Sequence, residues 1–550
     1  MATQHSSLPP LQVQYEDDPR VVQEAATEDY SLHVVPLTWR MSSWSLSMAW
    51  FALFSAMFWV VVASTIDLAV GTVNTIIGMV LAVIVYGAIN YVMTQYATRT
   101  GLTVAMFSRA LFGYLGAALA TLIFGATAVY YAVFEGSVIA VAFASFWSFL
   151  PLNIWYLVVV LYSVPLVIGG VRVWLDKFNG VLLPFYIIGL IAAVVWAIVK
   201  YGYHNTWLTY SPSSMAGIPV PGWWFAFTTY MGVWIMMMYT WDYARFGRDE
   251  DRHINGLVSF GPPFYLFTFM GNGLVGIFLA HTIPTKGPLS EISAVLGIVS
   301  MMGIFGVALI WVSQTRINTA NFYLASTNLE SFFSRVFKLK LPRTIWAVIV
   351  GAIVYLIMLT NVFSYILRAL RWQGVFIVAW VGIALTHIAY DHFVYRRRHP
   401  EADLYEFRPG RVPRFNPAGL VAWFLASAVG IYLVEAGGPA GGVWSPPVTF
   451  VLSVVIYAIM LEVQASHRAW YVMDRPYDPR GEVNDAWQAR VHCDFCDRFY
   501  LAVEMDRDPS SGYKPICAMD ASKSTSMYPA AVREARSTDV QNVEVGGILP

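Results

Sequence analysis

Residues 181 to 201 read "VLLPFYIIGLIAAVVWAIVKY", with no charge before Lys200. A run of roughly 20 apolar residues is the length that crosses the hydrocarbon core of a bilayer as a helix. About twelve such runs recur, centred near Met57, Val83, Tyr130, Val160, Ile188, Val233, Met270, Leu309, Val350, Ala379, Leu425 and Ser453. Only 12% of residues are charged and 57% are hydrophobic, whereas a soluble chain carries roughly a quarter charged. The expected fold class is therefore an all-α polytopic membrane protein with about twelve transmembrane helices. The run from Leu111 to Leu150 reads as one long, tilted span.

Polar segments flank this core. Residues 1–40 are acidic and lack a basic n-region with a short apolar stretch behind it, which argues against a cleaved signal peptide. The boundaries expected are an N-terminal segment 1–40, a membrane domain 41–465 and a tail 466–550. Formal net charge is +0, which gives no electrostatic case for nucleic acid. Lys and Arg in short loops stay cytoplasmic. With the N-terminus inside, that side holds Arg99, Arg109, Arg172, Lys177, Arg245, Arg248, Arg252, Arg335, Lys338, Lys340, Arg343 and Arg396 to Arg398. Lys286, Arg368 and Arg371 fall opposite, with Lys200 at a helix end. Both termini are expected in the cytoplasm of a cell whose plasma or inner membrane holds the protein. Its three cysteines would be reduced there.

Two loops share the pattern Arg–Xaa–Xaa–Phe–Gly or Arg–Phe–Gly: "TGLTVAMFSRALFGYLG", residues 100–116, after the second span, and "WDYARFGRDEDRH", residues 241–253, after the sixth. Each alone reads as a juxtamembrane loop with snorkelling arginines. Together with "QTRINTANFYLASTNL", residues 314–329, they resemble the nucleobase:cation symporter-1 family. That family includes cytosine, purine and allantoin permeases and the benzyl-hydantoin transporter. The resemblance covers roughly residues 30 to 465. It implies a LeuT-like fold: five spans repeated in inverted orientation, plus two more, with substrate at broken helices one and six. The sixth span, "TTYMGVWIMMM", offers Gly232 for such a break. The first, "MAWFALFSAMFWVVVAS", has no glycine, and Ser55–Ala56 is its only small pair near the middle, so a less pronounced break is expected there.

A planar heterocycle needs aromatic faces and amide edges. Asn and Gln present a donor and an acceptor side by side. By the family's spacing the third-span aromatic maps to Tyr131, where cytosine-permease-like relatives carry Trp, and their glutamine three residues earlier maps to Ala128. The sixth-span aromatic position falls on Val233, with Trp234 beside it, and Phe54 or Phe58 would contribute from the first span. The substrate site expected comprises Phe54, Ser55, Tyr131, Gly232, Trp234, Gln314, Asn318 and Asn321. The implied substrate is a nucleobase or related N-heterocycle, not a particular base. In sodium-coupled relatives two hydroxyl residues precede the eighth-span asparagine and bind the ion. Aligned on Asn318, those positions hold Arg316 and Ile317. Arg316 is thus expected to replace sodium; the alternative is an arginine paired to a carboxylate for packing alone, with Glu135 of the third span as the partner, and the same Glu135 is a candidate proton carrier. Coupling to a proton or to sodium stays open at this point.

The tail carries "HCDFC" and "CAMD". A C-x2-C turn aims two thiolates at one tetrahedral ion, so Cys493, Cys496 and Cys517 suit zinc, with Asp520 or His492 as the fourth ligand. A reduced C-x2-C in a poorly ordered tail is the plain alternative. Beyond Ser522 there is no apolar periodicity, and disorder is expected.

No G-x4-G-K-[ST] motif is present, so ATP coupling within the chain is not expected. His387 and Asp391 lie four apart without a nucleophile, so an enzyme is not expected either. A secondary active transporter needing no cofactor is the leading expectation. The rival is a transporter-shaped receptor signalling through the cysteine-bearing tail. The tail is too short for a kinase output domain, which favours transport.

Overall fold

The computed structural model describes residues 8–546 except 28, 169–170, 214, 216, 285–289, 340, 361–365, 399–404 and 467–471. Lys286 and Lys340, used above for orientation, lie outside the described residues. Among the described residues seven helices are long and apolar enough to cross a membrane, and a bent first pair makes eight. Two shorter apolar helices, Leu152–Val167 and Arg343–Met358, supply the fourth and ninth spans. The sixth is split into Gly222–Met231 and Ile235–Ala244. The eighth, Ile304–Val336, is long enough but carries the polar row quoted above. Every one of the twelve apolar centres falls on one of these spans.

The third span, Gly116–Phe146, runs antiparallel to the eighth. Gly136 lies beside Asn318, and Gly125 lies beside Asn328 and Leu329. The first and seventh spans approach closely: a Cβ on Gly276 would sit 2.0 Å from the Val60 carbonyl oxygen. Small residues at such crossings replace the hydrophobic drive that lipid removes.

The first span breaks more sharply than expected. Ser43–Ser55 and Met57–Val70 meet at 46°. Ala56, with φ −60° and ψ 129°, is in ordinary extended backbone, so the bend needs no glycine. What it needs is partners for the freed groups, and those come from other spans.

Two expectations for the chain ends are corrected. The N-terminal segment and the tail form one unit: β1 (Val13–Gln14) pairs with β2 (Arg490–Cys493), and β2 with β3 (Arg498–Leu501). A second ribbon joins β4 (Met505–Asp508) to β5 (Lys514–Cys517). Both termini therefore lie on one face of the membrane domain. The segment beyond Ser522 forms a helix, Met527–Gly546. Met527, Ala530 and Ala531 are buried and Arg475 pairs with Glu534 at 2.7 Å, contacts with no local sequence signature.

Candidate functional site

The break in the first span is held by side chains of the seventh and eighth spans, one of them braced by the fifth, and by two of its own. The Arg316 Nη2 donates to the Phe51 carbonyl at 2.8 Å. Asn272 of the seventh span donates to the Phe54 carbonyl at 2.7 Å, and its own amide oxygen accepts from Tyr186 of the fifth. Ser313 donates to the Ser55 carbonyl at 2.5 Å, and the Ser55 hydroxyl donates to Ala52 at 2.8 Å. Trp59 Nε1 donates to the Leu53 carbonyl at 2.8 Å. On the far side of the break, the Met57 N–H donates to the Gln314 amide oxygen at 3.0 Å. The carbonyls of Phe51 to Ser55 and the Met57 N–H, released by the bend, are thus paired in protein, as depth in a membrane requires.

Gln314, Asn318 and Asn321 share one face of the eighth span, within about 60° at 100° per residue. Gln314 also donates its amide N–H to the Glu135 carboxylate, so it links the break to the third span. This corrects the expected Arg316–Glu135 pair. Arg316 lies on another face of its helix and forms no ion pair among the described residues. It is fully buried, with Nε and Nη1 lacking hydrogen-bond partners. Asn318 is buried with both amide atoms unpartnered. Asn321 accepts from the Tyr239 hydroxyl at 3.2 Å, and its amide nitrogen has no hydrogen-bond partner. Tyr131, half-buried, stands one turn before Glu135 on the same face of the third span.

Other expected residues sit differently. Ser55 and Gln314 are occupied by the break itself. Phe54 is buried, edge-on to Tyr186 at 5.3 Å. Trp234 is committed to Phe450 of the last span, 5.3 Å away, although its indole N–H has no partner. Gly232 is exposed at the sixth-span break. Thr228 and Thr229 just before it line a cavity of about 560 Å³ on the face opposite the tail. Sequence reasoning missed Asn272, Tyr186 and Tyr239. Asn272 was findable, because an asparagine in mid-span poses the same burial cost as Asn318. The tyrosines gave no such signal.

The two paired motifs are one junction in space. Trp241 Nε1 donates to the Leu102 carbonyl at 2.9 Å, its ring stacks on Phe107 at 4.0 Å, and the Asp242 carboxylate accepts from the Val104 N–H at 2.8 Å. The first motif is a buried helix, Val104–Phe112, and not the loop expected. Arg245 is fully buried and donates to the Tyr30 and Asp29 carbonyls at 2.9 and 2.8 Å. A snorkelling arginine would face solvent; this one holds the N-terminal segment down.

In the tail, the ligand atoms of Cys493, Cys496, Cys517 and Asp520 lie within 4.8 Å of one another. His492 is turned to Asp494 and Asp497 instead, at 3.3 and 2.8 Å.

Mhp1, described as a nucleobase-cation-symport-1 family transporter, in a closed conformation with bromovinylhydantoin bound, aligns with TM-score 0.63 and 14% identity over 79% of this chain and 95% of its own. Its inward-facing conformation aligns with TM-score 0.61 and 15% identity over 79% and 93%. The fold is LeuT-like. No protein-family model and no curated protein matches the chain. At this identity the likeness concerns the fold alone.

Proposed function

We propose that the chain is a secondary active transporter that moves a planar nucleobase-like heterocycle by alternating access and does not depend on sodium. The observation that carries the substrate class is Asn318, a buried amide with neither atom partnered, flanked by Gln314 and Asn321. Leaving an amide buried and unpaired costs about 1–3 kcal/mol. A ring edge with adjacent N–H and C=O would relieve that cost, and the hydantoin held by Mhp1 carries such an edge. Tyr131 supplies an aromatic face on the opposing span.

Arg316 supports the sodium-independent part. A sodium ion at this crossing would bridge carbonyls of the broken first span to the eighth. Arg316 makes that bridge with a guanidinium bonded to Phe51 and with no carboxylate beside it. Arginine keeps its proton, so the charge is fixed. Glu135 is the candidate proton carrier: its carboxylate is tied through Gln314 to Met57, so a change in its protonation acts on the break. The excess of Lys and Arg in the loops on the side of the termini supports a cytoplasmic position for both ends.

Counterflow of labelled hydantoins, purines and pyrimidines in proteoliposomes tests this reading. Uptake of at least one ring, lost in Asn318→Ala, is expected. Absence of uptake for every planar heterocycle would contradict it.

A further inference from the structure

Four side chains of the tail that can ligate a metal converge where the tail meets the membrane domain. Cys493 and Cys496 lie on the β2–β3 hairpin, Cys517 ends β5, and Asp520 follows one helical turn later. Three strands-and-turn segments distant in sequence thus bring three thiols and one carboxylate to a single point. In a tetrahedral zinc–thiolate centre with bonds of about 2.3 Å, ligand atoms stand about 3.8 Å apart. Cys493 Sγ and Cys517 Sγ stand 3.5 and 3.3 Å from Asp520 Oδ2, near that spacing, and all four ligand atoms lie within 4.8 Å of one another.

The carboxylate is divided between two tasks. Oδ2 faces the thiols, while Oδ1 accepts from Lys523 at 2.9 Å. The Cys493 sulfur also accepts from the Cys517 N–H at 3.3 Å, and the Cys517 sulfur from the Asp520 N–H at 3.4 Å. Backbone N–H groups aimed at sulfur, and a second partner orienting the carboxylate, are the outer contacts that hold thiolate ligands in place.

We infer that Cys493, Cys496, Cys517 and Asp520 bind one zinc ion, and that this ion seats the tail unit on the membrane domain and thereby clamps residues 29–35. Three thiolates favour a soft or borderline ion, and one oxygen completes four-coordination without an open position, as in a structural site. The turn bearing Asp520 lies directly on the transporter: Met519, Ser522 and Lys523 line a cavity of about 260 Å³ with Arg109, Tyr114 and Arg335. Between the two bodies runs the N-terminal segment. Glu504 of the tail accepts from the Val34 N–H and contacts His33 at 3.1 Å. From the other side Arg245 holds Asp29 and Tyr30, and Ser31 donates to Glu330 of the eighth span at 2.6 Å.

The full-length protein purified with zinc and without chelator should carry one zinc per chain by elemental analysis. Cobalt substitution should give the visible absorption of a tetrahedral thiolate site. Cys493→Ser and Cys517→Ser should lose the metal, while Asp520→Cys should keep it, which separates ligation from misfolding. On chelation, amide exchange should rise at least tenfold in residues 490–517 and in 29–35, and stay unchanged in the third and eighth spans. Metal content near zero with all three thiols reduced, or zinc removal that leaves residues 29–35 equally protected, would overturn the inference.

Discussion

Asn318 and Arg316 stand two positions apart on one helix with opposite deficits. The amide has no bond at all, and the guanidinium has one bond and a charge without a counter-charge. Neither arrangement serves packing, since buried unpaired groups destabilise a fold. Asn318→Ala should therefore leave the melting temperature unchanged or raised, while substrate affinity falls about tenfold or more, the worth of one good hydrogen bond. Thermal melting alongside equilibrium binding would show it; a loss of stability matching the loss of binding would mean the amide is structural. Arg316→Met removes a buried charge but also leaves the Phe51 carbonyl unpaired, so transport should be abolished whichever way the melting temperature moves, both measured on the same preparation. The cost of burying an amide or a guanidinium made these two legible in the sequence. Their partners were not. Gln314 and Glu135 are 179 positions apart, and which of two polar neighbours a carboxylate meets depends on helix rotation.

At the scale of elements, the first span shows why local sequence understated a break. Its six residues 51–56 have ordinary backbone preferences, and the bend is stabilised by Arg316, Asn272, Ser313 and Gln314 from elsewhere. Gly232 marks the sixth-span break by position, although its backbone, φ −61° and ψ −13°, is one that other residues adopt as well. The twelve spans were legible because each is an apolar run of bilayer length. The two arginine motifs were visible as a pair, but their stacking on each other through Phe107 and Trp241 was not. Gly276→Ala forces a methyl against the Val60 carbonyl and should destabilise the protein by roughly 1–3 kcal/mol, read as a lowered melting temperature. Arg245→Gln should release residues 29–31 without touching the substrate site. Faster amide exchange there with unchanged binding is the expected result.

For the whole molecule, the tail is docked by buried charge. Arg408 joins Glu406 and Asp478, each at 2.7 Å, and Arg480 joins Glu406 at 2.6 Å. Burial by itself raises the Glu406 carboxyl, but Arg408 and Arg480 outweigh it and hold the group at about 2. A carboxyl held below its unfolded value stabilises above that unfolded value, and the contribution fades as pH falls toward 2. The share from Glu406 is roughly 3 kcal/mol. Docking should be constant from pH 7 to about 5 and weaken below 4.5. Limited proteolysis of the tail against pH measures this, and Glu406→Gln should flatten the dependence.

The central claim is that a fixed guanidinium stands where a cation symporter keeps its ion. The direct measurement is initial uptake of a transported heterocycle into proteoliposomes with external sodium replaced by choline, at fixed pH and osmolarity. The account predicts equal rates in both media, with uptake responding to an imposed pH gradient. A rate that rises steeply with sodium would contradict it and return Arg316 to a role in packing alone.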